Sequence, residues 1–172
     1  KSIQPELFID GNNQHIPEGI ARTLTHGAPG SWLFALERYG TMTFGEVSAA
    51  AIRFARDGFP MYPQMTRNIT SDEESLRRWP SSVAVYLPND RPPQVGELFK
   101  QPDLARTLQY MADESEAPDS QGRVAGIQGA YHALYTGDNA KTLHDATPAT
   151  AGSLPMRHKR ALRQMRGRTG IW

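Results

Sequence analysis

The apolar positions of this chain recur mainly at helical spacing. Trp32, Ala35, Leu36 and Tyr39 fall at i, i+3, i+4 and i+7, with Ser31 before them as a cap and Gly40 after them as a terminator. This pattern predicts a helix over 32–39 that buries those four side chains. A second helix is predicted over 44–57. Thr43 and Glu46 stand three residues apart, the spacing of a capping box in which each side chain satisfies the other's backbone amide. Val47, Ala50, Ala51 and Phe54 share one face, with Ile52, Ala55 and Phe59 beside them. Gly58 ends this helix and Pro60 prevents its extension. The run Ala49-Ala50-Ala51 suits close approach by another helix. Residues 72–78 read as a short helix stopped by Pro80, and 88–93 as a polar loop. Pro102, favourable in a first turn, opens a helix with Leu104, Leu108 and Met111 on one side. The acidic stretch 113–122 reads as a solvated loop. Val124, Ile127, Tyr131 and Leu134/Tyr135 mark a further helix over 124–135, closed by Gly137. The expected fold class is therefore mainly α, about five short helices with little strand.

Outside that helical segment, taken as 31–145, the pattern weakens. Residues 1–30 read as a loop-rich entry, with a possible short strand at Leu7-Phe8-Ile9 before the turn signal Asp10-Gly11. Residues 146–172 read as a basic, disordered or unrelated tail. Six of the nineteen basic residues fall within 157–172, where there is no acid. The other thirteen face all eighteen acids, so a mildly acidic body ends in a basic stretch. The 172 residues include no cysteine, which removes disulfides, thiolate metal sites and cysteine nucleophiles. No run approaches the ~18 consecutive apolar residues of a membrane span, and Lys1-Ser2-Ile3-Gln4-Pro5 shows no apolar core of a signal peptide.

Candidate chemistry is sparse. His15, His26, His132, His144 and His158 include no pair at metal-ligand spacing on one helix face. Asp10-Gly11-Asn12-Asn13-Gln14 opens like a calcium loop, but His15 stands where glycine is needed and Ala21 where the closing glutamate is needed. Gly137-Asp138-Asn139-Ala140-Lys141-Thr142 ends like a phosphate loop but has Ala140 and Tyr135 at two required glycine positions. Gly122, Gly126 and Gly129 have the wrong spacing for a dinucleotide turn, and helix ends account for both glycine groups. No G-x-S-x-G elbow occurs. Asp113, Glu114, Glu116 and Asp119 read as solvated, because nothing nearby would bury them and shift their pKa values. Asn68-Ile69-Thr70 is a glycosylation sequon by form only. No catalytic, cofactor-binding or metal residue is assigned, and no cofactor is expected. On charge alone, the alternative to an enzyme is a helical binding module whose basic tail contacts nucleic acid or an acidic partner.

Three ordered stretches add a family resemblance. Gly27-Ala28-Pro29-Gly30 leads into a helix ending Glu37-Arg38-Tyr39-Gly40. Ala50-Ala51-Ile52-Arg53-Phe54-Ala55-Arg56-Asp57-Gly58-Phe59 follows, then Gln101-Pro102-Asp103-Leu104-Ala105-Arg106-Thr107-Leu108. Together with Ala133-Leu134-Tyr135-Thr136-Gly137, they resemble the large subunit of the γ-glutamyltranspeptidase family of N-terminal-nucleophile hydrolases. Ala50 replaces a usual proline, 114–130 is longer than the usual link, and the sequence departs from the family pattern after Leu154. The resemblance implies an enzyme that moves a γ-glutamyl group from glutathione-like amides to water, amino acids or peptides. It implies a self-cleaving precursor whose small subunit, absent from this chain, carries the N-terminal threonine nucleophile. It further implies that this chain is an internal large-subunit segment, inactive alone, contributing packing helices of an α/β/β/α fold. Partners are then that small subunit and a γ-glutamyl small molecule, nucleic acid is not expected, and the location is periplasmic or extracellular.

Overall fold

The computed structural model describes residues 26–116 and 122–146. The chain divides into two compact units, one comprising 31–133 and the other 1–30 with 134–172. Within the described residues the structure is mainly helical, with a single two-stranded antiparallel pairing. The expected fold class is therefore borne out. The readings of the entry segment before residue 26 and of the tail after 146 lie outside the described residues.

Helix α1 spans Gly27–Tyr39. It begins earlier than the periodicity implies, because Pro29 sits in the first turn, where its missing amide hydrogen costs nothing. Ser31 lies inside the helix and is no cap. The expected stripe is also displaced. Leu33 is the buried residue, while Trp32 and Tyr39 are 64% and 76% exposed. Ala35 is exposed and Leu36 half-buried.

Helix α2, Phe44–Asp57, starts with the predicted capping box. The Thr43 hydroxyl accepts from the Glu46 amide at 3.2 Å, and the Glu46 carboxylate accepts from the Thr43 amide at 2.7 Å. The buried face is Phe44, Ser48, Ile52 and Ala55, not the predicted line Val47, Ala50, Ala51 and Phe54. Both lines are apolar enough to be a core face, and periodicity alone does not choose between them. The choice is made by α6 (Pro102–Ser115), which packs along α2 and buries Ala105, Met111, Ala112 and Ser115. Leu104, expected in that core, is 44% exposed.

Between these two helices the chain makes a closed apolar cluster. Gly58, with φ +98°, turns it out of α2; Lys100 and the Phe99 carbonyl crowd the place a Cβ would occupy. β1 (Phe59–Pro60) then pairs with β2 (Leu98–Phe99). The pairing is prolonged by Met61 N–H to the Glu97 carbonyl and Gly96 N–H to the Met61 carbonyl, both 2.8 Å. α3 (Pro63–Ser71), α4 (Glu73–Arg77) and α5 (Pro80–Tyr86) wrap this pair. Met61, Ile69, Leu87 and Phe99 form its centre, surrounded by Phe59, Met65, Leu76, Val83, Val85 and Tyr86. Phe59 meets Phe99 edge-on at 5.8 Å and Tyr86 stacks on it at 6.3 Å. α3 is not among the predicted helices. Pro80 opens α5 rather than merely stopping α4, as proline in a first turn does. Residues 88–93 form the expected loop.

α6 runs to Ser115, so the first part of the expected acidic loop is helical. α7 (Arg123–Tyr135) buries Gly126, Ile127, Ala130 and Ala133. Gly126 and Gly129 do not mark helix ends, contrary to expectation. They lie inside α7, where any Cβ would collide with the Ser115 and Glu114 carbonyls of the last turn of α6. α8 (Asp138–Ala146) follows Gly137 and is not among the predicted helices either.

Candidate functional site

The motif residues of the sequence are best understood through what each touches. In the unit that holds 26–30 and 134–146, the phenol of Tyr135 accepts from the Gly30 amide at 2.9 Å and donates to the His26 carbonyl at 2.6 Å. The two rings stack, 5.4 Å apart and 7° from parallel. Burial pushes the Tyr135 phenol above its ordinary pKa, and the Gly30 amide partly opposes that shift. A Cβ on Gly30 would stand 3.0 Å from the phenol oxygen, so glycine there permits the contact. The tyrosine thus satisfies an orphan donor of the first turn of α1.

The other motifs serve as similar joints. The Gln101 amide donates to the Ala55 carbonyl at 2.8 Å, joining the residue before α6 to the last turn of α2. Arg123 donates to the carbonyls of Leu36 and Glu37 at 2.9 and 3.0 Å, at the end of α1, where the Leu36 carbonyl also accepts from the Gly40 amide at 3.0 Å. No local signal foretold this role, since the partners are 87 and 86 residues away. Tyr135, read from sequence as one residue of an apolar helix face, is likewise tied 105 residues back to Gly30.

None of these contacts forms a nucleophile and base. Ser48 and Ser115, the two buried polar side chains of the described residues, donate to the backbone carbonyls of Gly45 and Ala112. A shallow groove between α2 and α6 is lined by Arg53, Arg56, Gln109, Asp113 and Glu116. Arg56 there pairs with Asp57 at 2.8 Å, and Gln109 with Asp113 at 2.8 Å. Asp113, Glu114 and Glu116 are exposed, as expected of solvated acids, and Asp119 lies outside the described residues. Lys141 pairs with Asp145 one turn further along α8, at 2.7 Å. Asn68 accepts from Gln64. Among the described residues no group of three or more His, Asp or Glu is placed to hold a metal ion, and no helix is long and apolar enough to cross a membrane. His15 and His158 lie outside the described residues.

Among the described residues the surface also carries exposed apolar area. Val47 and Phe54 on α2 are 45% and 49% exposed, with Ala50 and Ala51 exposed between them. They lie at i, i+3, i+4 and i+7, about a quarter-turn around α2 from the line of Ser48, Ile52 and Ala55, and the Arg53 guanidinium lies over the Phe54 ring, 5.2 Å from its centre.

The family model for gamma-glutamyltranspeptidase matches residues 1–158. The chain belongs to that family. The match reaches into the stretch read from sequence as the tail. The glutathione hydrolase proenzyme of Bacillus subtilis (strain 168) is 30% identical over 155 residues, which cover 87% of this chain and 24% of that protein. The acylase ACY 1 proenzyme of Pseudomonas sp. (strain SE83) is 34% identical over 134 residues, covering 78% and 21%. The crystal structure of Helicobacter pylori gamma-glutamyltranspeptidase superposes with a TM-score of 0.68 at 20% identity, over 84% of this chain and 38% of that one, a likeness of fold. The chain spans about a quarter of the length of these curated relatives.

Proposed function

We propose that this chain is a large-subunit segment of a γ-glutamyltransferase or hydrolase, inactive alone. The supporting observation is the family match across 1–158, joined to coverage of only 24% of a relative of 30% identity. In this reading the segment supplies architecture. Gly30, Arg123, Gln101 and Tyr135 hold helix ends in place, and the nucleophilic threonine and the clamp for the substrate's carboxylate come from polypeptide outside it. The reaction is acyl transfer. A hydroxyl, activated by an amine, attacks the γ-glutamyl carbonyl and releases the amine of the donor, and water or an amino acid takes up the acyl group. Donated hydrogen bonds stabilise the oxyanion. Because one relative is named an acylase, the amide cleaved by the whole enzyme is either γ-glutamyl or another acyl group. Incubation of the isolated chain with a chromogenic γ-glutamyl amide tests the reading: no release of chromophore is expected, and turnover that survives repurification would overturn it.

A further inference from the structure

The turn out of α2 carries reactive chemistry as well as a shape. Position 58 must be glycine, because its φ is +98° and because the Lys100 side chain and the Phe99 carbonyl stand 3.0 and 3.3 Å from where a Cβ would lie. The residue before it is Asp57, whose side chain is 54% exposed. An aspartate followed by glycine is the pair most open to closure of the side chain onto the backbone, since the next residue has no Cβ to hinder the approach. In that closure the Gly58 amide nitrogen loses its proton and bonds to Cγ of Asp57. The protonated carboxyl gives up its hydroxyl, which leaves with that proton as water. The cyclic imide then takes up one water at either carbonyl. One opening restores aspartate, and the other leaves isoaspartate, whose backbone is longer by a carbon.

Both reacting groups are held back here. Arg56 grips the ionised Asp57 carboxylate with two hydrogen bonds, Nε to Oδ1 at 2.8 Å and Nη2 to Oδ2 at 3.0 Å. That bonding, foremost, and the positive charges of Arg56, of Lys100 just past β2 and of Arg53 on α2 lower the Asp57 pKa against a partial desolvation. The protonated form that can release water is thereby depleted. The Gly58 amide donates to the Phe54 carbonyl at 3.0 Å, the closing bond of α2. We propose that Asp57–Gly58 is an imide-forming modification site that the Arg56 fork and this closing bond keep shut in the folded chain. The added carbon would fall where the chain leaves α2, just before Phe59 pairs with Phe99. The site is independent of the acyl-transfer chemistry proposed above.

The test incubates the full 172-residue chain at mildly acidic pH, folded and in urea. Isoaspartate at residue 57 is read by enzymatic methylation of the peptide that carries it. The folded parent is expected to accumulate isoaspartate about tenfold more slowly than the same chain in urea, as a site that reacts only on local opening. Arg56→Gln should raise the folded rate about threefold, the scale of an exposed ion pair, and leave the rate in urea unchanged. Arg56→Lys keeps the charge but loses the fork, and should fall between the two. Circular dichroism checks the helix content of each variant, and the Lys variant carries the comparison if the Gln variant loses helix. A folded parent that ages as fast as the unfolded chain would overturn the proposal. So would folded variants that age like the parent, or no isoaspartate at residue 57 in urea.

Discussion

The cluster around Phe99 and the α2–α6 pair bury apolar surface in contrasting ways. The cluster is closed on all sides. β1 and β2 form its floor, α3, α4 and α5 wrap it, and Met61, Leu87 and Phe99 are at most 2% exposed. The pair is closed along one seam only. Its contact line is complete, but among the described residues α2 carries a second apolar line that stays exposed, with the Arg53 guanidinium over its Phe54 ring. A region sealed by its own chain has a stability that belongs to this chain.

That contrast predicts unequal penalties for similar truncations. Phe99→Ala should be the most damaging, about 3–5 kcal/mol by denaturant titration, because the ring is fully enclosed and contacts both Phe59 and Tyr86. Ile52→Ala, on the sealed flank of α2, should cost about 2–4 kcal/mol. Phe54→Ala, two residues away on the open flank, should lie within about 0.5 kcal/mol of the parent despite deleting a larger side chain. Equal losses at Ile52 and Phe54 would break the distinction between the flanks. Thr43→Ala should cost about 1 kcal/mol, since it removes one half of a reciprocal cap without touching either flank.

The sequence was most legible where chemistry is local. The capping box at Thr43 and Glu46, the end of α2 at Gly58 and the proline start of α6 all follow from residues within one turn of each other. It was least legible where the choice depends on a distant neighbour. The apolar line of α2 that is buried is decided by α6, about fifty residues on, and α2 has two candidate lines. The same holds for Gly126 and Gly129, which look like punctuation in one dimension and are a crossing point in three. Pro80 was ambiguous for another reason, since a proline that ends one helix is equally suited to begin the next. The reaction proposed for the whole enzyme is not written in any local motif of this segment, and rests on the resemblance of ordered stretches and the family match.

The closed cluster has a polar edge at Glu97, and this gives the finest test of the comparison. Arg91 grips the Glu97 carboxylate with two hydrogen bonds of 2.6 and 3.0 Å, and the Gln94 amide adds a third at 2.8 Å. The loop 88–97 is thereby clasped where the Glu97 carbonyl meets the Met61 amide. The Arg91 bond, foremost, and the Gln94 amide lower the Glu97 pKa to about 2. A carboxyl whose folded pKa lies below its unfolded value adds stability at neutral pH. That contribution begins to fade as pH drops below the ordinary glutamate range near 4.5 and is gone below about 2. Because the pair is open to solvent, the effect should be small and weakened by salt. Glu97→Gln should therefore flatten part of the fall in melting temperature between pH 5 and pH 2, and the difference from the parent should shrink at high salt. An unchanged acid limb in that variant would mean that the cluster is held shut by its apolar contacts alone, and the contrast with α2 would then rest entirely on packing.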